Sequence, residues 1–244
     1  MRIAIAGAHG TVARLLSGRL RSDGHTVIGL VRRAEHLEEL ALPGEIPVLL
    51  DLESASLDDV AEVLRGADAA VFAAGSGEAS PVARSLSMDR DGAILFAQAA
   101  VRAGVRRFVM LSGAGADEYE RGSTDPFQVY LRAKSDADAA VRTLDLDWVI
   151  LRPDALHDGP GSRSFAAGQH VTRTGIARAD VAAALQDVAV GPDPGRLQLE
   201  ITTGRLPLRQ ALAAARCQGS DPGQHEQDEQ EGRTCRTSTE QWSW

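Results

Sequence analysis

The chain has 244 residues, 43% of them hydrophobic and 25% charged, with 34 acidic side chains against 26 lysines and arginines and a net charge of −8. That composition suits a soluble α/β protein with a sizeable core, and the acidic balance argues against nucleic acid or an anionic membrane surface as partner, since both reward basic patches. No apolar run approaches the roughly 20 residues that span a bilayer, the segment Met1 to Gly7 is interrupted too soon for a signal peptide, and both cysteines, Cys217 and Cys235, fall in a polar C-terminal stretch, so a cytoplasmic protein without a disulfide framework is expected.

Short β-rich runs alternate with helical stretches, the pattern of a doubly wound parallel sheet with helices on both faces. The first strand covers Arg2–Ala6, followed by a glycine turn and a helix through Arg21; the second covers Thr26–Val31 and ends in Arg32-Arg33. A third strand spans 47–50 and ends at Asp51, with Leu52 beside it. Residues 69–74 make a fourth, apolar on both faces as a buried parallel strand is. A long helix covers 83–103, and Arg107–Leu111 forms a fifth strand leading into Ser112-Gly113-Ala114-Gly115. A helix over 126–143, a strand over 147–151, a helix over 180–188 and a last strand over 197–202 complete a single domain, residues 1–212, with a small C-terminal substrate portion. From about Arg216 the composition turns to Gln, Glu, Asp, Gly, Ser and Thr. Such a segment cannot bury enough apolar area to offset its ordering entropy, so 213–244 is expected to be a disordered tail, with Trp242 and Trp244 solvated at its tip.

The first βα turn reads Gly7-Ala8-His9-Gly10-Thr11-Val12-Ala13. Glycine at 7 permits a tight turn, glycine at 10 lets a pyrophosphate approach the backbone, and a small residue at 13 lets helix and strand pack closely. His9, Thr11 and Val12 belong to the same phosphate-facing turn, where a helix N-terminus offers amide donors. The spacing is G-x-x-G-x-x-A rather than the G-x-G-x-x-G fingerprint. At the end of the second strand an NAD site carries Asp or Glu for the ribose 2′-hydroxyl, while a basic residue suits the 2′-phosphate of NADP. Arg32-Arg33 stand there, which favours NADP(H) over NAD(H). Asp51 either caps the adenine amino group or starts a turn, and Ala73, Ala74 and Gly75, after the fourth strand, complete the cofactor wall. The six histidines are scattered, with no recognised metal-ligand spacing, so no metal is expected.

Lys134 is the only lysine in the chain. Arginine serves wherever charge alone is needed, so lysine survives where a compact ammonium on a flexible stem matters. It lies four residues after Tyr130, on the same helix face. A fixed ammonium beside a phenol favours phenolate, which makes tyrosine a usable acid/base near neutral pH.

Together with Phe72-Ala73-Ala74-Gly75-Ser76-Gly77, Arg107-Phe108-Val109-Met110-Leu111-Ser112, Trp148-Val149-Ile150-Leu151-Arg152-Pro153 and Ala177-Arg178-Ala179-Asp180-Val181-Ala182, these motifs resemble the short-chain dehydrogenase/reductase superfamily, in its atypical branch of NAD(P)-binding epimerase/reductase proteins. The resemblance covers about residues 1–212 and implies a Rossmann fold. It implies that Tyr130 exchanges a proton with the substrate C–O group, that Lys134 binds the nicotinamide ribose hydroxyls, and that Ser112 hydrogen-bonds the reacting oxygen. Asp89 stands where the superfamily usually has asparagine, as a proton relay or a helix cap, and Asp154 stands where this branch usually has glycine. The expected activity is reduction of a small carbonyl or quinone-like molecule, or epimerisation of a sugar-like one. The alternative is a non-catalytic NADP(H) redox sensor of the NmrA-like type that reports to a protein partner.

Overall fold

The computed structural model describes residues 1–76, 81–192 and 195–219. Eight strands form one sheet in the order β3-β2-β1-β4-β5-β6-β10-β8: β1 Arg2–Ala6, β2 Thr26–Val31, β3 Glu45–Leu49, β4 Ala69–Phe72, β5 Arg107–Leu111, β6 Asp147–Pro153, β8 Phe165–Gly168 and β10 Leu197–Thr203. All neighbouring pairs are parallel except β8, which runs antiparallel to β10. A small parallel pair, β7 Leu156–His157 and β9 Ile176–Ala177, lies beside the carboxyl end of β6. The chain is thus the doubly wound Rossmann-like domain that the alternation predicts.

Strand alternation divides the core into two layers. Ile3 and Ile5 of β1, with Val71, Val109, Val149 and Ile201, pack on the face covered by α1 (Thr11–Ser22), α7 (Arg178–Val190) and α8 (Leu208–Gly219). Ala4, Ala6, Phe72, Phe108 and Ile150 pack on the other, against α3 (Leu57–Leu64), α5 (Ala93–Ala103) and α6 (Pro126–Arg142). Successive side chains point to opposite faces, so strands buried on both sides read as continuous apolar runs. Helix ends carry their own signals. Ser56 and Asp59 form a capping box on α3. Asp125 accepts from the backbone N–H groups of Phe127 and Gln128, and Pro126 occupies the first position of α6. Gly104, at φ 76°, ends α5 in the left-handed conformation.

Three expectations change. The helix expected over 83–103 is α4 (Val82–Arg84), a π-helical stretch Ser85–Gly92, and then α5; periodicity of apolar residues does not register the extra residue per turn that π geometry inserts. Helices α2 (Glu35–Leu40) and α3 were not resolved from the loops around them, being short. The domain boundary drawn at 212 falls inside α8, which runs to Gly219 and buries Leu208, Ala211, Leu212 and Ala215. Alanine-rich helix surface is weakly hydrophobic by composition, and only packing reveals which alanines are covered. Residues 220–244, including Cys235, Trp242 and Trp244, and the side chain of Cys217 lie outside the described residues. Among the described residues no helix is long and apolar enough to cross a membrane.

Candidate active site and cofactor cleft

The carboxyl ends of β1, β2 and β4 enclose a cleft of about 370 Å³, lined among others by Gly7, His9, Gly10, Arg32, Arg33, His36, Leu52, Ala73, Ala74, Gly75 and Arg84. Gly7 has φ 76°, and a Cβ there would stand 2.6 Å from the Cα of Ala74. Glycine is therefore required twice over, by backbone conformation and by the close passage of the segment after β4. Helix α1 starts behind Gly10 with no side chain capping its amides and no acid in its first turn, which suits a bound pyrophosphate. The turn and cleft fit a dinucleotide.

Among the described residues the cleft lining holds three arginines (Arg32, Arg33, Arg84), two histidines (His9, His36) and no carboxylate. His9 and His36 stack at 3.5 Å, and His9 Nε2 lies 3.2 Å from Glu39. Arg33 is an exposed partner of Glu35 at 3.6 Å. Thr11 is exposed at the start of α1, whereas the Val12 side chain is buried in the core, so only its backbone belongs to the turn. Asp51 is outside the lining, and its Oδ1 accepts from Glu53 N at 3.0 Å in the turn after β3. His36 and Arg84 escaped the sequence reading because they lie on helices distant in sequence from the glycine turn.

Tyr130, Lys134 and Asp89 come together from two elements. Helix α6 carries the first two, with Lys134 Nζ 5.8 Å from the Tyr130 ring centroid. The π-helical stretch brings Asp89 within 3.1 Å of that Nζ, in an ion pair whose side chains are 5% and 1% exposed. Such π-helical turns recur at functional sites. Lys134 also donates to Leu111 O at 3.2 Å, and Asp89 Oδ2 accepts from Ser76 N at 3.1 Å. Burial works to lower the lysine pKa, but the Asp89 carboxylate, then Tyr130, outweighs it and leaves the ammonium above its ordinary range. Asp89 is thus the buried counter-ion of Lys134 rather than a helix cap.

Ser112 lines the pocket that holds the Tyr130 phenol. Its hydroxyl donates to Asp138 Oδ2 at 2.9 Å, on the buried side of β5. Asp138 is wholly buried and accepts from Arg152 Nε at 2.8 Å, while Arg152 clasps Asp117 with two bonds of 2.7 and 3.0 Å. Burial pushes the Asp138 carboxyl up, against the pull of Arg152 and Ser112. The serine hydroxyl is thus engaged in this network. Asp138 continues the Tyr130, Lys134 face at i+8, a spacing the sequence displays.

A second pocket, about 790 Å³, opens beyond the phenol and includes Gly113, Phe127, Leu131, Asp154, Leu156 and Arg173. A Cβ on Gly113 would lie 3.2 Å from the Tyr130 hydroxyl. Its far wall is tied down by Asp154, which accepts from Ala155 N, Thr174 N, Gly175 N and the Thr202 hydroxyl at 2.7 to 3.2 Å. Asp180, at the start of α7, likewise holds Ser162 N and Arg163 N at 2.9 and 2.7 Å.

A family model described as NAD(P)H-binding matches residues 7–192. The chain is 31% identical over 213 residues to the uncharacterised sugar epimerase YhfK of Bacillus subtilis, covering 87% of this chain and 99% of that one. Among solved structures it is similar to a proposed NAD-dependent epimerase/dehydratase of Bacillus halodurans, with TM-score 0.79, 29% identity and coverage of 88% and 99%. It shares the fold of the oxidoreductase ylbE of Lactococcus lactis, with TM-score 0.75, 23% identity and coverage of 91% and 99%. The glycine turn, the sheet order and these likenesses agree: the chain belongs to the NAD(P)H-binding family, consistent with the atypical short-chain dehydrogenase/reductase branch that its motifs resemble.

Proposed function

We propose that this protein is an NADPH-dependent reductase of a small carbonyl or quinone-like substrate, with Tyr130 as the proton donor. The observation that carries the reading is the buried Lys134–Asp89 pair, which fixes an ammonium beside the Tyr130 ring between the cofactor cleft and the second pocket. When bound, the reduced nicotinamide supplies a hydride to the substrate carbon. Tyr130 passes its hydroxyl proton to the carbonyl oxygen, so that an alcohol leaves and a phenolate remains. Lys134 stabilises that phenolate, and the proton is replaced from solvent through the open pocket. Asp89 keeps the ammonium charged and oriented. Arg32, with Arg33 beside it in a cleft whose described lining residues include no carboxylate, supports preference for the 2′-phosphate of NADP(H). The epimerase description of the Bacillus relatives supports a variant of the same reading, in which the phenolate takes a proton from a sugar hydroxyl while oxidised nicotinamide would accept the hydride of that carbon, both being returned with the hydride on the opposite face.

One observation favours the rival, a non-catalytic NADP(H) sensor: the Ser112 hydroxyl, although it lines the second pocket, donates to Asp138 within the Asp138–Arg152 network. Following reduced-nicotinamide absorbance with a panel of aldehydes, quinones and keto compounds separates the two. Tyr130→Phe keeps the ring but deletes the donor, so turnover falls about 10²-fold or more while cofactor affinity holds. Parental turnover in that variant removes Tyr130 as the proton donor, whereas no turnover of any compound favours the sensor.

A further inference from the structure

Arg173 lies in the second pocket at a position the proton-transfer groups do not explain. Its backbone is mounted rigidly: Val171 N is bonded to Glu200 Oε2 at 3.1 Å, and Thr174 N and Gly175 N are bonded to Asp154 Oδ2 at 2.8 and 2.7 Å. Its side chain nevertheless stays 41% exposed. A Cβ on Gly115 would stand 3.0 Å from the guanidinium, and Gly115 has φ 74°, so the loop after β5 is shaped to let that group lie against bare backbone. Gly113, two residues earlier, presses in the same way on the Tyr130 hydroxyl. Two residues span at most about 7 Å of backbone, so one small molecule can meet both the phenol and the guanidinium.

The charges around Arg173 decide what it offers. Among the described residues its guanidinium makes one hydrogen bond, to Glu200 Oε1 at 3.3 Å, with Glu118 at 3.6 Å and Asp154 at 3.9 Å. Three carboxylates thus surround one cation, and an incoming anion meets an excess of negative charge. What remains on offer is a planar fork with five N–H donors, not a positive field. The same pocket is lined by Pro126, Leu131, Leu156 and Phe127, a residue that is 61% exposed with its ring 6.2 Å from that of Tyr130, apolar surface suited to a flat body.

We infer that Arg173 is the specificity-determining anchor of the substrate pocket, and that the pocket takes an uncharged carbonyl compound with an apolar or aromatic body and a second acceptor oxygen, rejecting the corresponding acid. This inference deepens the reductase reading and rests on it for the place of the reacting carbonyl. Methyl benzoylformate and benzoylformate share a ring and a ketone and differ in charge. Calorimetry on the full chain saturated with NADP⁺ should show the ester binding at least tenfold more tightly than the acid. Arg173→Met and Arg173→Lys should each weaken the ester about tenfold, the second because a point charge cannot replace the fork. Glu118→Gln, which removes one excess charge, should narrow the preference at least threefold. Equal or tighter binding of the acid, no binding of either compound, or an ester affinity indifferent to both Arg173 variants overturns the inference. The unmodified protein alone decides the charge preference, whatever the variants do to folding. NADPH oxidation with the same two compounds separates the two claims: an ester that binds as expected but is not reduced refutes reduction of this substrate class and leaves the pocket assignment standing.

Discussion

Replacing Lys134 with methionine tests whether the Tyr130–Lys134 face is held by a buried ion pair. The ammonium and its Asp89 partner are 3.1 Å apart, with side chains 5% and 1% exposed. Methionine keeps much of the stem volume, so little cavity is made; the main consequence is that Asp89 remains buried with Ser76 N as its recorded hydrogen-bond donor. Breaking a buried pair on one side costs about 3–5 kcal/mol. For a chain of this size each kcal/mol shifts the melting temperature by roughly 2–4 °C, so Lys134→Met should melt about 6–20 °C lower. Neutralising both partners removes the stranded charge, and Lys134→Met/Asp89→Asn should recover more than half of that loss. The pH dependence has a definite sign. Lys134 is raised in the folded state, so its stabilisation is fully present below the ordinary lysine value of about 10.4 and is lost as pH rises through the higher folded value; the parent alone should show that alkaline loss. Urea and thermal melts of the four proteins, followed by circular dichroism, supply the measurement. A single-variant cost below about 1 kcal/mol, or a double variant as unstable as the sum of the singles, would refute the reasoning.

Arg32→Ala should weaken NADPH binding about tenfold and leave NADH nearly unchanged in calorimetry, since a charge-assisted bond to the 2′-phosphate exists only for the first; equal losses for both would remove Arg32 from cofactor selection. A chain ending at Gly219 retains α8, whereas one ending at Pro207 loses the burial of Leu208, Ala211, Leu212 and Ala215. At about 1.5–3 kcal/mol for each leucine alone, the shorter chain should melt at least about 6 °C below the longer one, and matching melts would show that α8 contributes nothing. Asp117 is held below the ordinary carboxylate range chiefly by Arg152. Its stabilisation is therefore present above about pH 4 and lost as pH falls through its folded value, so Asp117→Asn should reduce stability at pH 7 while flattening the acid decline seen in urea titrations at pH 7 and pH 3.

Much of the frame was legible because it is written in short-range chemistry. Arg2–Ala6, Thr26–Val31 and Arg107–Leu111 are strands at the predicted bounds, since buried parallel strands are unbroken apolar runs between turn residues. Gly7 was identifiable from its place between strand and helix, and Tyr130 and Lys134 from helical spacing and the rarity of lysine. The sequence alone therefore determined the fold, the cofactor turn and the proton-transfer pair as candidates. It could not assign Asp89, because the side chain's direction depends on the π-helical turns of Ser85–Gly92, nor the orientation of Ser112, which follows from Asp138 and Arg152 arriving from α6 and β6. Arg173, Glu200 and Gly115 are separated by up to 85 residues and meet only when the β6–β10 edge and the loop after β5 close on one another. Tertiary structure decides such features because a buried charge takes whatever partner packing delivers, and partners distant along the chain leave no local pattern to read.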